Sequence, residues 1–279
     1  MELSLKKGIK LKDKYEVKER IAGTDISNIY LCVELKTDKM FVIKEMFVKG
    51  CFRDLDNKTV VNKNKGILEE AKESYRKEGK VLKEISHKNI VKFKEIFEEN
   101  NTVYIVTKYY KGLDYERYIQ ARKINIKKEI CKNIYPILDA IEYLHKKKYI
   151  HRDIKPNNII ITKDGPILLD FGAVSHINSK NKRINISNGF SPIEFYEDDT
   201  KQGYYSDVYS IAATIYYMLN KKIPILAKNR VVEDELFLEK RKDKVELLDK
   251  IILKNMDLDY KKRAKNIKVL RKELKLIMR

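Results

Sequence analysis

The sequence predicts an α+β fold in two lobes, a β-rich first part followed by a helical remainder. Two observations carry this. Ahead of about residue 111, short segments rich in β-branched and aromatic residues alternate in polarity and are bounded by polar or turn-forming residues. From about Tyr115 onward the apolar residues recur at spacings of three and four instead. With 279 residues the chain is long enough to bury a sizeable core, and such an architecture places its site in the cleft between the lobes.

The strand-like segments are, in order, "YEVKERIA" from Tyr15, "NIYLCVEL" from Asn28, "KMFVIKEMF" from Lys39, "IVKFKEIFEE" from Ile90 and "TVYIVTKYY" from Thr102. Between the third and fourth, residues 49–65 are polar and turn-rich and read as a surface loop. The stretch 66–86 reads as a helix with Leu68, Ala71, Tyr75, Glu78, Leu82 and Ile85 on one inward face. Glu78 is the charge on that stripe. Either it sits at a solvated edge, or it is buried against a cation, because an unpaired buried charge is very costly. Lys44, on one strand face with Val42 and Met46, is the candidate partner. In the helical part, short strands are expected only around residues 149–170.

Composition narrows the class. Hydrophobic residues at 43% and charged residues at 36% describe a soluble globular chain. The longest apolar run near the C-terminal half, Ile211 to Leu219, is too short to span a bilayer, and the first ten residues lack the apolar core of a secretion signal, so a cytoplasmic location is expected. The net charge is +19, but lysine supplies 48 of the 60 basic residues and spreads along the chain with Ile and Asn. That is compositional bias rather than a basic face interleaved with aromatics, and no specific nucleic-acid partner is expected. Cys32, Cys51 and Cys131 lie far apart, which excludes a disulfide framework and a structural zinc site and leaves three buried or half-buried thiols.

The densest chemistry lies in "HRDIKPNNII" from His151 and "LLDFGAV" from Leu168. A polar loop carries Asp153, Lys155 and Asn158, and a second acid, Asp170, follows an apolar run and precedes Gly172. Two carboxylates, an amide oxygen and a lysine suit a divalent metal and phosphate. Magnesium takes few hard oxygen ligands and keeps substrate phosphates in its shell, a role for Asn158 and Asp170. Asp153 is then left to orient a hydroxyl and accept its proton, and Lys155 to offset charge on the moving phosphoryl group.

At these residues the chain resembles the eukaryotic-type (Hanks-type) Ser/Thr protein kinase family, in its bacterial-like form. The order matches from roughly Tyr15 to the C-terminus: Lys44 in its strand, Glu78 nine residues before "HKNIV", the His-Arg-Asp loop and Asp-Phe-Gly. Further on, "GFSPIEFY" resembles the end of an activation segment with Glu194 as its glutamate. "SDVYSIA" resembles the helix anchoring the catalytic loop, with Asp207 as its buried acid, and Arg263 falls where an arginine pairs with that glutamate.

The resemblance implies a single kinase domain over 1–279, with an N-lobe of about 1–108 and a C-lobe of about 109–279. It implies transfer of the γ-phosphate of ATP, with Mg²⁺ or Mn²⁺, to Ser and Thr hydroxyls of protein substrates. Asp153 is then the catalytic base, Lys155 its companion, and Lys44, held by Glu78, contacts the α- and β-phosphates. Adenine lies against Ile21, Ile29 and Val42, Thr107 takes the gatekeeper place, and backbone groups of Lys108, Tyr109 and Tyr110 read the base edge. His151 is a packed loop support, and Arg152 binds either a phosphorylated segment residue or backbone carbonyls. Ser187 bridges Asp153 and Lys155, while Ser175 and Ser179 are candidate phosphorylation sites, Ser179 the better. The alternatives are a pseudokinase that binds nucleotide as a scaffold, and a small-molecule kinase. The intact set Lys44, Glu78, Asp153, Lys155, Asn158 and Asp170 argues against the first. The second has no need of "GFSPIEFY", Asp207 and Arg263.

Departures from the family pattern cluster at "IAGTDISNIY" from Ile21, where Ala22, Thr24 and Ser27 take the three glycine places of the phosphate loop and Gly23 is displaced by one. Where such a place needs positive φ, losing glycine costs about 1 kcal/mol, so a handicapped loop is expected. Tyr209 stands where a tryptophan is usual.

Overall fold

The computed structural model describes residues 3–179, 186–197, 200–238 and 245–278. The chain divides into two compact units, Met1–Ser86 with Val91–Tyr110, and His87–Ile90 with Lys111–Arg279. Residues 87–90 join the second unit because Asn89 is bonded into it. Its side chain donates to Pro166 O at 2.7 Å and its carbonyl accepts from Leu168 N at 2.8 Å.

The first unit is built on a six-stranded sheet in which all neighbours are antiparallel. Its strands are β1 (Lys10–Leu11), β2 (Tyr15–Thr24), β3 (Ser27–Glu34) and β4 (Lys39–Met46). After a small hairpin of β5 (Cys51–Arg53) and β6 (Val60–Asn62) comes helix α1 (Lys65–Glu84), then β7 (Phe93–Glu99) and β8 (Thr102–Lys108). The sheet order is β1-β2-β3-β4-β8-β7. Alternation decides the two faces. Tyr30, Cys32, Phe41, Ile43, Tyr104 and Val106 point to one side and form a core with Tyr15, Val17 and Phe97, each such side chain contributing about 1.5 to 3 kcal/mol on burial. Helix α1 is capped by Asn64, whose side chain accepts from Ile67 N. It buries Leu68, Tyr75, Glu78 and Leu82, as its spacing predicts, with Ile85 buried just past its end. Gly79 packs directly against Ile96 of the sheet, and a Cβ there would meet Ile96 Cδ1 at 2.4 Å, displacing the end of that side chain.

Three expectations need correction here. Residues 49–65 are not simply a surface loop: β5 and β6 pair from Cys51↔Asn62 to Arg53↔Val60, and Arg53 is buried. Its guanidinium reaches Glu45 at 2.7 and 3.1 Å, and the carboxylate also accepts from Tyr30 Oη at 2.8 Å and Tyr104 Oη at 3.0 Å. Glu78 is not the only buried charge of α1, because Lys72 is buried too and donates to Asn101 Oδ1 at 2.7 Å. Cys131 is exposed, unlike Cys32 and Cys51.

A second charged cluster fastens β7 to the start of the sheet. Glu95 accepts from Lys12 Nζ at 2.6 Å, Lys14 Nζ at 2.5 Å and Tyr15 Oη at 2.6 Å. Burial pushes this carboxyl up, but those three hydrogen bonds outweigh it and hold Glu95 at about 2 rather than 4.5. A carboxyl depressed on folding adds stability above its unfolded value and loses it as protons return. Stability attributable to Glu95 therefore falls as pH drops from 4.5 through about 2. Denaturant titrations at stepped pH should show a shallower acid loss for Glu95→Gln than for wild type in that window. Equal slopes would remove this cluster from the account.

The second unit is mostly helical. Strand β9 (Leu113–Asp114) leads into α2 (Tyr115–Gln120), capped by Asp114. A continuous helical run follows: α3 (Ile126–Glu129), a wider π turn over Ile130–Ile134, and α4 (Tyr135–Lys146). Strands β10 (Tyr149–Ile150), β11 (Ile159–Thr162), β12 (Gly165–Leu168) and β13 (Ser175–His176) come next, pairing as β12-β11-β9 and β10-β13. Helices α5 (Tyr204–Asn220), α6 (Glu246–Asn255) and α7 (Ile267–Leu276) complete the unit. Helix α5 is buried almost all round, from Ser206 through Met218, which marks it as the helix on which the others pack. Among the described residues no helix is long and apolar enough to cross a membrane.

Candidate active site

In the first unit the sheet register gathers the predicted nucleotide residues. Ile29 pairs across from Lys44, and Val42 across from Thr107, so all four lie on the face opposite the sheet's core. Lys44 Nζ donates to the Glu78 carboxylate at 3.0 and 3.1 Å and lies 5.3 Å from the centroid of the Tyr75 ring. The solvated-edge alternative for Glu78 is therefore excluded. Ile21 falls at an irregularity in the β2–β3 register and is 46% exposed, apart from that group. Of the three residues expected to read a base edge, Lys108 already uses its N–H on Lys92 O at 2.9 Å, and Tyr110 Oη accepts from Lys92 N at 3.2 Å.

The phosphate-loop place departs from expectation. None of Ala22, Gly23, Thr24 or Ser27 has positive φ, so the anticipated glycine penalty does not arise. Past the irregularity at Ile21 the segment is a β2–β3 hairpin, paired from Ala22↔Ile29 to Thr24↔Ser27 and fastened at its tip. Ile26 O accepts from Phe47 N at 3.0 Å and from Tyr75 Oη at 3.0 Å, and Asp25 O accepts from Lys49 N at 2.7 Å. The hydroxyls of Thr24 and Ser27 meet at 2.8 Å.

In the second unit Asp207 organises the loop that carries Asp153. Buried in α5, its two oxygens accept from His151 N and Arg152 N, each at 2.9 Å, and His145 Nε2 lies 2.8 Å from Oδ2. Burial pushes the Asp207 carboxyl up, but the hydrogen bond and charge of His145, with the His151 amide, bring it below its ordinary value. These bonds hold Arg152 in left-handed backbone, φ 68°, which a side chain adopts only when its surroundings fix it. His151 is fully buried, its ring edge-on to Phe171 at 5.0 Å, and burial lowers its pKa. That is the environment of a packed support. The Arg152 side chain donates to Ala173 O at 2.6 Å and to Gln202 Oε1 at 3.3 Å, the backbone-carbonyl option of the two expected. Burial lowers its pKa to about 10.

Asp153 is surrounded by donors. Lys155 Nζ reaches it at 3.0 Å, Asn158 Nδ2 at 2.8 Å and Ser187 Oγ at 2.6 Å, and Ser187 Oγ also accepts from Lys155 Nζ at 2.8 Å. Asn158 Nδ2 further donates to Asp153 O at 2.8 Å, which leaves Oδ1 as its unused oxygen. Leu169 N donates to Asn158 O at 2.8 Å and so tethers Asp170, whose own φ is 47°. Among the described residues no group of three or more His, Cys, Asp or Glu gathers on a metal position. An amide oxygen and one carboxylate nonetheless fit a hard cation that keeps water and phosphate in its shell.

Behind this loop, Glu194 takes Arg263 at 2.8 and 3.1 Å and Ser206 Oγ at 2.8 Å. Tyr209, in the usual tryptophan place, is fully buried under the Arg263 guanidinium, 4.9 Å from its ring, and accepts from Arg230 at 3.2 Å. Sequence reasoning overlooked Ser191, a fourth serine of the segment. It is buried, and its Oγ accepts from Ser187 N at 2.9 Å, fixing the residue that bridges Asp153 and Lys155. Ser175 and Ser179 are among the described residues, whereas 180–185 of the same segment lie outside them.

A strand lysine tied to a helical glutamate, a loop aspartate fed by lysine, asparagine and serine, and a buried aspartate gripping that loop's backbone together define the protein-kinase class. The model of the protein kinase domain family matches residues 15–278. The chain belongs to that family. It is 27% identical over 242 residues to serine/threonine-protein kinase cds1 of Schizosaccharomyces pombe, covering 77% of this chain and 46% of the relative. It is 26% identical over 230 residues to serine/threonine-protein kinase PrkC of Bacillus subtilis, covering 80% of this chain and 33% of the relative. The chain thus spans half or less of the length of these relatives. Among solved structures, "PpkA-294 apo form" superposes with a TM-score of 0.82 at 26% identity, covering 98% of this chain and all of that one. Members of this family use ATP with a divalent metal.

Proposed function

We propose that the chain is one kinase domain, with an N-lobe of about 1–108 and a C-lobe of about 109–279, that transfers the γ-phosphate of ATP to Ser and Thr hydroxyls of proteins. The observation that carries this reading is the Asp153 carboxylate held by Lys155, Asn158 and Ser187. Asp153 orients the acceptor hydroxyl and takes its proton as that oxygen bonds to the γ-phosphorus and the bond to the bridging oxygen breaks, releasing ADP. Lys155 stays beside the reacting oxygens as a positive charge. Lys44, kept extended by Glu78, supplies charge for the α- and β-phosphates, with Ile21, Ile29, Val42 and Thr107 against the base and backbone groups of residues 108–110 at its edge. Asn158 Oδ1 and Asp170 would hold a divalent cation, Mg²⁺ or Mn²⁺, whose charge would offset that of the phosphates. The reading includes a cytoplasmic location and protein substrates, without a specific nucleic-acid partner.

The test uses the purified chain, ATP, Mg²⁺ or Mn²⁺ and a generic basic protein. Phosphoserine and phosphothreonine are expected in the product. Transfer no greater than that of Asp153→Asn under either metal would end the enzyme reading.

A further inference from the structure

A pocket of about 310 Å³ in the second unit is lined by Lys155 and Ser187, both bonded to Asp153, and by Glu116, Ile186, Phe190, Tyr217 and Ile223. We infer that this pocket selects a lysine or arginine side chain flanking the phosphorylated residue of the protein substrate, with Glu116 as the specificity-determining residue. The inference rests on the kinase reading above. Its position follows from Lys155 and Ser187: a side chain filling a space they line belongs to a residue close in sequence to the hydroxyl that Asp153 addresses.

Charge decides what fills it. The Lys155 ammonium is matched by Asp153 at 3.0 Å, so it leaves no free positive charge in the pocket. Among the described residues no Lys or Arg lies within ion-pair reach of Glu116, and its carboxylate accepts only from Tyr217 Oη at 3.3 Å. A carboxylate without a cation is conspicuous in a chain of net charge +19. Ile186, Phe190 and Ile223 supply apolar wall. That combination suits a long methylene stem ending in a cationic head, which buries its stem and keeps its charge against an acid. A glutamate or phosphoserine in the same place would meet like charge and be rejected.

The pocket is also firmly built. Tyr217 is buried, and its Oη accepts from Gln120 Nε2 at 2.8 Å, which fixes the hydroxyl that holds Glu116. Gly189 has φ +77°, and a Cβ there would lie 2.5 Å from Pro224 O and 2.6 Å from Ile223. The backbone between Ser187 and Phe190 therefore presses on the Ile223 wall as no other residue at 189 would allow.

Serine peptides carrying Lys, Arg, Ala or Glu in turn at each flanking position test this with wild type, Glu116→Gln and Glu116→Lys. Wild type should favour Lys or Arg over Glu at one position by about tenfold. Glu116→Gln should bring that ratio near parity, and Glu116→Lys should invert it. The readout is a ratio between peptides within one enzyme, so a general loss of activity does not imitate it. If wild type phosphorylates the generic basic protein yet prefers cationic peptides at no position, or all three proteins share one preference, the pocket assignment falls alone. If wild type transfers phosphate to neither protein nor peptide, the kinase reading falls and takes this inference with it.

Discussion

Asp153→Asn should lower phosphoryl transfer by about 10²- to 10⁴-fold, the share that a positioned general base supplies. The substitution keeps the shape of the side chain and removes the group that can hold a proton. Three donors converge on the native carboxylate, from Lys155, Asn158 and Ser187. An asparagine amide presents one oxygen where two accepted, so one donor loses its partner and the lysine loses its counter-charge. Ground-state nucleotide binding should change little, because the proposed role of Asp153 is on the acceptor hydroxyl rather than on the nucleotide. Steady-state kinetics separates the two: the drop should fall on kcat, with KM for ATP within about a factor of a few. A variant that keeps wild-type kcat would remove Asp153 from the chemistry.

The largest stability effect is expected from Arg53→Met. Glu45 and Arg53 are 0% and 1% exposed at their side chains, and the arginine meets both carboxylate oxygens. Removing it leaves a carboxylate in the interior with only the hydroxyls of Tyr30 and Tyr104 and the amide of Asn28. Breaking such a pair costs about 3 to 5 kcal/mol, whereas replacing both partners by apolar residues costs far less. Denaturant unfolding of Arg53→Met, Glu45→Met and the double variant reads this directly. The double variant should be more stable than Arg53→Met alone. Losses that simply add would mean that the pair is not energetically coupled.

What the sequence made legible follows from the range of the interactions involved. Lys44 and Glu78 were found from strand alternation and helix spacing, both local periodicities, and the structure pairs them at 3.0 Å. The Asp153 loop was found from the density of its chemistry within a few residues. The β5–β6 hairpin was missed because its anchor is one buried arginine bonded to Glu45 and Tyr30 of the sheet, invisible in a segment with little apolar pattern of its own. A signal was present: Phe41 and Ile43 alternate inward on β4, and the next place in that alternation is Glu45. A strand that sends a carboxylate into its own core asks for a cation, and Arg53 is the arginine nearest in sequence. Lys72 escaped in part for a similar reason: besides the local carboxylate of Glu69, its ammonium meets the side chain of Asn101 in the turn between β7 and β8. The phosphate loop was misjudged differently. Counting glycines assumed a left-handed backbone, and the chain closes the hairpin without one.

The fastening of that hairpin has a thermodynamic consequence. Bonds from Phe47, Lys49 and Tyr75 already fix the carbonyls of Asp25 and Ile26 in the free protein. A segment ordered during folding has little conformational freedom left to surrender, so nucleotide capture carries a smaller entropic penalty than it does where a mobile flap must be stilled. The amides of Phe47 and Lys49 should accordingly exchange slowly with solvent before any nucleotide is added, and change little afterwards. Because Tyr75 lies one helical turn before Glu78, displacing α1 removes one of the three bonds that hold the hairpin tip and leaves those from Phe47 and Lys49. In this chain the seating of the helix reinforces a loop that the backbone already holds.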